Sequence, residues 1–185
     1  MEIINKYFDD AVVLLKPKKF YDKRGFFSEQ YNKNSLKKLK IKDIFVQDNY
    51  SFSKKKGIIR GLHFQKPPFD QAKLVRVIKG KILDIVLDIR NNSPHYGKIK
   101  KFILSKENWH QIFIPSGFAH GFVTLSNFTE VEYKVSNFYS KKHEVTIMWN
   151  DPTLSVNWIL KQKEILNNKD KNGIFFNELK TPFYL

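Results

Sequence analysis

A chain of 185 residues with no cysteine must draw any proton-transfer or ligand chemistry from histidine, tyrosine, lysine and carboxylates, because disulfides, thiolate metal sites and cysteine nucleophiles are excluded together. His63 stands in IIRGLHFQ, an apolar run that also carries Arg60. Both groups need partners if that run is buried, and a cavity facing a ligand supplies them; a core histidine bonded to backbone is the alternative. In QAKLVRV, alternation puts Lys73 on one face with Val75 and Val77. An inward lysine costs desolvation unless an anion or a developing oxyanion meets it, whereas a lysine at a strand end can send its long stem to solvent. Tyr133 alternates inward with Val131 and Val135, which fits either a site or a core tyrosine bonded to a carbonyl. Asp84 and Asp88 share one face of KILDIVLDIR and are read as structural anchors for lysines or loops.

The elements that must hold these groups are short strands. Runs at Ala11–Lys16, Ile44–Ser53, Ile58–Phe64, Lys73–Ile78, Lys81–Arg90, Ile99–Leu104, Gln111–Ile114, Phe118–Leu125, Phe128–Ser136 and Val145–Trp149 are separated by turn signals such as Lys79-Gly80, Asn91-Asn92-Ser93-Pro94, Pro115-Ser116-Gly117 and Asp151-Pro152. Strands recurring every 8 to 15 residues or so, with little helical pattern between, predict an all-β sandwich or barrel. Short helices are expected at Ser35–Leu39 and Leu160–Asn167. No linker or repeat interrupts the chain, so residues 1–185 are expected to form a single domain, with a core over about 11–150 and a C-terminal wrap over about 151–185.

The charge is strongly basic, 33 Lys and Arg against 18 Asp and Glu, net +15. Only Arg24, Arg60, Arg76 and Arg90 are arginines, the residue that reads phosphates and base edges by a bidentate fork. The lysines are scattered with no long basic tail, so most of the excess reads as solvated surface, and a nucleic-acid partner is not expected. No stretch approaches the roughly 18 apolar residues of a membrane span, and the acidic start MEIINKYFDD is unlike a leader. A cytoplasmic protein without a membrane partner is the expectation.

His120 sits in IPSGFAHGF, where Pro115, Gly117 and Gly121 fix a turn into a strand. This resembles the second motif of cupin barrels, in which the histidine binds a metal. The first cupin motif needs a histidine pair, HxH, but here the stretch is His63-Phe64-Gln65, and no glutamate follows until Glu107. Glutamine is a poor substitute for imidazole, so no metal site is expected.

Taken in order, DKRGFFSE (Asp22–Glu29), VQDNYSFS (Val46–Ser53), GIIRGLHFQ (Gly57–Gln65), QAKLVRVIKG (Gln71–Gly80), DIVLDIRNNSP (Asp84–Pro94), IPSGFAHGF (Ile114–Phe122) and WNDP (Trp149–Pro152) resemble the dTDP-4-dehydrorhamnose 3,5-epimerases. These are metal-independent, cupin-type jelly rolls. The resemblance implies that His63 is the catalytic base, Asp170 the carboxylate that orients it, Tyr133 the proton donor on the opposite sugar face and Lys73 the cation near the ketone oxygen. It further implies that Arg24, Glu29, Gln47, Asp48, Asn49, Arg60, His120, Glu144 and Lys169 bind the nucleotide sugar and that Tyr139 stacks on thymine. The segment with Arg24, Phe27 and Glu29 is implied to cross to a second subunit, giving a homodimer with composite sites. The chemistry is coherent: a C4 ketone acidifies the C3 and C5 hydrogens, a cation stabilises the enolate, and a base and an acid on opposite faces invert the carbon, with no cofactor. Related enzymes invert only C3 or only C5 with similar motifs, so a single-site epimerase is the alternative.

Overall fold

The computed structural model describes residues 1–160 and 163–185. In chain order its elements are β1 (Glu2–Tyr7), β2 (Val12–Lys16), β3 (Phe20–Asp22), β4 (Gly25–Phe27), α1 (Lys33–Lys38), β5 (Gln47–Ser53), β6 (Ile59–Gln65), β7 (Lys73–Lys79), β8 (Lys81–Asp88), β9 (Ile99–Ser105), β10 (Gln111–Ile114), β11 (Phe118–Thr124), β12 (Thr129–Val135), β13 (Glu144–Thr146) and α2 (Asn168–Lys171), followed by a 3-10 turn at Phe176–Glu178. Two antiparallel sheets, ordered β1-β2-β10-β7-β12-β5 and β13-β6-β11-β8-β9, pack face to face, and β3 with β4 forms a separate hairpin. The result is the expected all-β, cupin-type jelly roll with short helices.

Alternation assigns each face. Along β2, Val12 and Leu14 enter the core between the sheets while Val13 and Leu15 point outward; along β8, Ile82 and Val86 point in, and Leu83, Ile85 and Leu87 out. Neither outer face is left wet. Leu36 of α1, Ile41 and Ala72 cover Val13, Leu15, Leu74 and Phe113 on the first sheet. Trp158 and Leu179, with Leu154, Val156, Leu166, Phe176 and Phe183, cover the second sheet. This double cover explains why β8 is an almost unbroken apolar run: every residue after Lys81 is buried. The WNDP motif anchors that cover. Asp151, 1% exposed, accepts from the amides of Thr153 (2.7 Å), Leu154 (3.2 Å) and Phe176 (2.5 Å), and Trp158 Nε1 donates to the Trp149 carbonyl at 2.8 Å.

Three local features depart from the sequence reading. The first is β1, whose polar sequence gives no strand signal; it pairs with β2 across a turn in which Phe8, Asp9 and Asp10 all have positive φ. The second is the expected helix at Leu160–Asn167. Lys161 and Gln162 of that span lie outside the described residues, and the rest is not helical. Instead the Ile165 backbone bridges to Ile58 beside β6, donating to Gly57 and accepting from Ile59. Asn167 then caps α2, its side chain accepting from the Asp170 amide at 2.7 Å. A helix therefore starts where one was expected to end. The helix expected at Ser35–Leu39 is α1, entered through Asn32, whose side chain accepts from the Asn34 and Ser35 amides.

The third feature is a bulge in β6. His120 pairs with His63 and Phe122 with Arg60, so three steps on β6 face two on β11. In a regular strand Arg60 and His63, three apart, would point to opposite faces; the extra residue turns both inward. Gly61 makes this possible. Its φ is +117°, and a Cβ there would lie 2.5 Å from Gly121 Cα and 2.6 Å from the His120 carbonyl oxygen. Gly61→Ala is expected to lower stability by about 3 kcal/mol or more, from backbone strain plus overpacking. Gly25→Ala, also at positive φ (+133°) but with nothing within 4 Å among the described residues, is expected to cost only about 1–2 kcal/mol. Equal shifts of the two urea midpoints would contradict this account.

Candidate active site

Between the two sheets, adjoining the apolar core at Phe122 and Tyr133, a cavity of about 260 Å³ opens. Its walls follow from strand alternation. From the first sheet come Gln47, Asn49 and Ser51 of β5, Lys73 of β7 and Tyr133 of β12; from the second come Arg60, His63 and Gln65 of β6, His120 and Phe122 of β11 and Glu144 of β13. Tyr139, Asn167, Lys169 and Asp170 close the rim.

His63 Nε2 lies 2.5 Å from Asp170 Oδ1. Asp170 is 1% exposed, and a carboxylate so placed accepts, which puts the proton on Nε2 and leaves the lone pair on Nδ1. Burial holds the His63 pKa below the ordinary imidazole value; Asp170 opposes this, while the charges of Lys169 and Lys73 add to it. The imidazole is therefore neutral near pH 7, the form a base requires.

Lys73 is buried, and its ammonium donates to the His63 carbonyl at 3.2 Å. Desolvation lowers its pKa to about 8, against the favourable charges of Asp84 and Glu144. It is a cation at neutral pH, held without a direct carboxylate contact among the described residues and so available to a developing negative charge. On the same sheet the Tyr133 phenol is pushed up by desolvation, with Arg60 pulling down and Glu144 up, and stays a neutral donor.

A second histidine–carboxylate pair lies deeper: His120 Nε2 is 2.7 Å from Asp84 Oδ2, and Asp84 is fully buried. The same-face aspartates thus divide. Asp88 anchors a loop through Arg90 and Ser93, whereas Asp84 backs a residue of the cavity wall. Around the rim, Glu144 accepts from Lys169 Nζ (2.8 Å) and the Tyr139 hydroxyl (3.0 Å). Burial pushes the Glu144 carboxyl up, but Lys169, His63 and Tyr139 together hold it below its ordinary value. Arg60 reaches across from the second sheet to donate to the Phe52 carbonyl at 3.2 Å. Its Nε and the Ser51 hydroxyl are buried with no partner among the described residues, so a ligand entering here meets two groups still to be satisfied.

Of the residues singled out in the sequence, His63, Asp170, Lys73, Tyr133, Gln47, Asn49, Arg60, His120, Tyr139, Glu144 and Lys169 share this cavity. Four do not line it. Asp48 points to the opposite face of β5 and pairs with Lys134 Nζ at 2.6 Å. Arg24 sits at the tip of the β3–β4 hairpin, with 89% of its side chain exposed, and pairs with Asp22; Phe27 in the same hairpin is 68% exposed. Glu29 follows it and accepts from Asn32. Ser51, Phe64, Gln65, Gln71, Phe122 and Asn167 also line the cavity, and Asp84 backs it, beyond the residues expected from the sequence. Ser51 could have been found by extending the Gln47, Asn49 alternation, whereas only the fold puts Asp84 behind His120. Among the described residues no group of three or more His, Asp and Glu is placed to hold a metal ion.

A family model described as dTDP-4-dehydrorhamnose 3,5-epimerase matches residues 9–178. The dTDP-4-dehydrorhamnose 3,5-epimerase of Salmonella typhimurium is 46% identical over 171 residues, covering 92% of this chain and 93% of that protein. The protein of the same name from Shigella flexneri is 44% identical over 174 residues, covering 94% of each. A crystal structure of a Legionella pneumophila dTDP-6-deoxy-D-glucose-3,5-epimerase in complex with dTDP-4-keto-L-rhamnose superposes with a TM-score of 0.93 at 39% identity, covering 100% of this chain and 98% of that one. Likeness of this extent, in a chain whose two sheets already gather a carboxylate-backed histidine, a buried lysine and a tyrosine around one cavity, has one explanation: the chain belongs to the dTDP-4-dehydrorhamnose 3,5-epimerase family.

Proposed function

We propose that this cavity converts dTDP-4-dehydro-6-deoxy-D-glucose to dTDP-4-dehydro-L-rhamnose by inverting C5 and C3. The observation that carries the reading is the placement of a neutral base and a neutral acid on opposite walls, His63 on one sheet and Tyr133 on the other, with the Lys73 cation in the same space. His63 Nδ1 takes the proton on the carbon next to the ketone, and the electron pair moves onto the C4 oxygen. Lys73 meets the charge that forms there. The enolate then collapses, taking a proton from the Tyr133 hydroxyl on the opposite face; solvent returns a proton to the phenolate and removes the one on His63. Repeating the cycle at the second carbon completes the reaction. Arg60 and Lys169 supply positive charge for the diphosphate, Gln47, Asn49, His120 and Glu144 supply hydrogen bonds, and Tyr139 supplies a stacking surface for the base.

The segment with Arg24, Phe27 and Glu29 does not line the chain's own cavity, and its hairpin exposes Phe20, Tyr21, Phe26 and Phe27. This supports a homodimer in which the arm of one protomer completes the site of its partner. If so, mixing and refolding the inactive His63→Ala and Arg24→Ala chains should restore about a quarter of wild-type activity, because half the dimers are mixed and each of these has one intact site. No recovery would refute shared sites.

Turnover of the ketosugar in deuterated water should place deuterium at both C3 and C5. Label at one carbon would identify the single-site alternative, and retention of both protons would reject the mechanism. His63→Ala should lose about 10²- to 10⁴-fold in kcat with the fold intact by circular dichroism.

The pH profile follows from the two shifted groups. His63 must be neutral and its pKa is lowered, so the acid limb of kcat/KM should lie below the ordinary imidazole value of about 6.5. Lys73 must be charged, so activity should fall as pH rises through about 8. Lys73→Arg, which stays protonated, should abolish that alkaline limb at reduced activity; an unmoved limb would assign it to another group.

A further inference from the structure

Gln65 occupies the place where a metal cupin carries the second histidine of its HxH pair, and its side chain is turned to a different task. It is 4% exposed. Its Nε2 donates to the carbonyls of Phe69 (2.5 Å) and Phe138 (3.1 Å), and its Oε1 accepts from the Ser140 amide (2.7 Å). The two contacts at 138 and 140 bracket Tyr139. The Tyr139 amide is itself held by Gln47 Oε1 at 3.2 Å, so one aromatic residue of the rim has its backbone fixed from both walls of the cavity while the residue stays 53% exposed.

We infer that Gln65 is a positioning residue for the nucleobase of a nucleoside-diphosphate sugar, acting by fixing the backbone on either side of Tyr139. This rests on the functional reading above. The chemistry requires a primary amide: the position needs two N–H donors and one acceptor in a single planar group, which neither a carboxylate nor an imidazole supplies. A glutamate would set an anion against two carbonyl oxygens. Other ties of the loop join the Tyr139 hydroxyl to Glu144 (3.0 Å), Ser140 Oγ to His143 Nδ1 (2.8 Å) and the His143 and Glu144 amides to the Ser140 carbonyl. Asn137 bonds to the Gln71 amide and the Pro68 carbonyl, and His143 stacks on Phe69 with ring centroids 4.6 Å apart. These ties hold the Tyr139 ring, the turn from Ser140 to Glu144 and Asn137, whereas Gln65 joins the backbone on both sides of Tyr139 to β6.

The test measures calorimetric affinity for two probes, dTDP and inorganic pyrophosphate, in wild type, Gln65→Glu, Tyr139→Ala and the double variant. Gln65→Glu should weaken dTDP about 10- to 100-fold, the scale of leaving buried polar groups unmatched, and should leave pyrophosphate affinity little changed. KM for the ketosugar should rise while kcat falls far less. The double variant should bind dTDP no more weakly than Tyr139→Ala, because both changes remove the same stacking surface. Should the glutamate variant fail to fold, Gln65→Met, neutral and of similar length, makes the same comparison. Additive losses, equal weakening of both probes or an unchanged dTDP affinity would each overturn the inference. A wild-type chain that does not bind dTDP would instead overturn the functional reading beneath it.

Discussion

The contact between Asp170 and His63 organises much of this molecule. A carboxylate that is almost fully buried is tolerated only if its charge is met by hydrogen bonds. Here His63 meets the side chain, and the Asn167 cap fixes the backbone that carries it. Asp170 belongs to a four-residue helix in the C-terminal segment, so the contact can form only when that segment has crossed the second sheet. Trp158, Leu166 and Leu179 drive the crossing by covering apolar side chains of β6, β8 and β11. The base is thus completed by the C-terminal part of the chain, and its tautomer depends on a hydrophobic cover whose residues Trp158, Leu166 and Leu179 do not line the cavity.

Within the cavity, opposing effects are balanced rather than maximised. Lys73 is desolvated far enough to lower its pKa but retains Asp84 and Glu144 close enough to stay charged at neutral pH. Glu144 is shared by Lys169 and Tyr139, which keeps it ionised at the rim. Asp84 serves twice, as the hydrogen-bond partner of His120 and as a distant counter-charge for Lys73. Such groups keep reactive protonation states in a partly dry site, where water would otherwise level them.

Much of this was legible in the sequence because β-strands encode faces by period two. The alternation in Phe128–Ser136 places Tyr133, that in Lys73–Ile78 places Lys73, and both reach the cavity. Legibility stopped where placement depends on distant chain. β1 is polar, yet it forms against β2. Ile165 sits in a helical-looking stretch, yet its backbone bonds beside β6. Asp84 and Asp88 look alike in sequence, and only the pairing of β8 with β11 separates a residue backing His120 from a loop anchor. Asp48 sits in the same motif as Gln47 and Asn49 but, as the odd member of an alternating run, faces away from them and bonds Lys134.

The bulge at Gly61 has a consequence for how a single strand can be read. On its N-terminal side the inward residue of β6 is even-numbered, Arg60; beyond it the inward residues are odd-numbered, His63 and Gln65. The strand changes phase once, in the middle of the site. A binding cation, a proton acceptor and an amide brace can therefore stand on one rigid element at an interval that an unbroken pleat would send to opposite sides. Nothing in the side chains of those three residues records this. The information resides in two hydrogens, those that Gly61 and Gly121 carry in place of a β-carbon, and it is backbone without substituents that decides which chemistry faces the cavity.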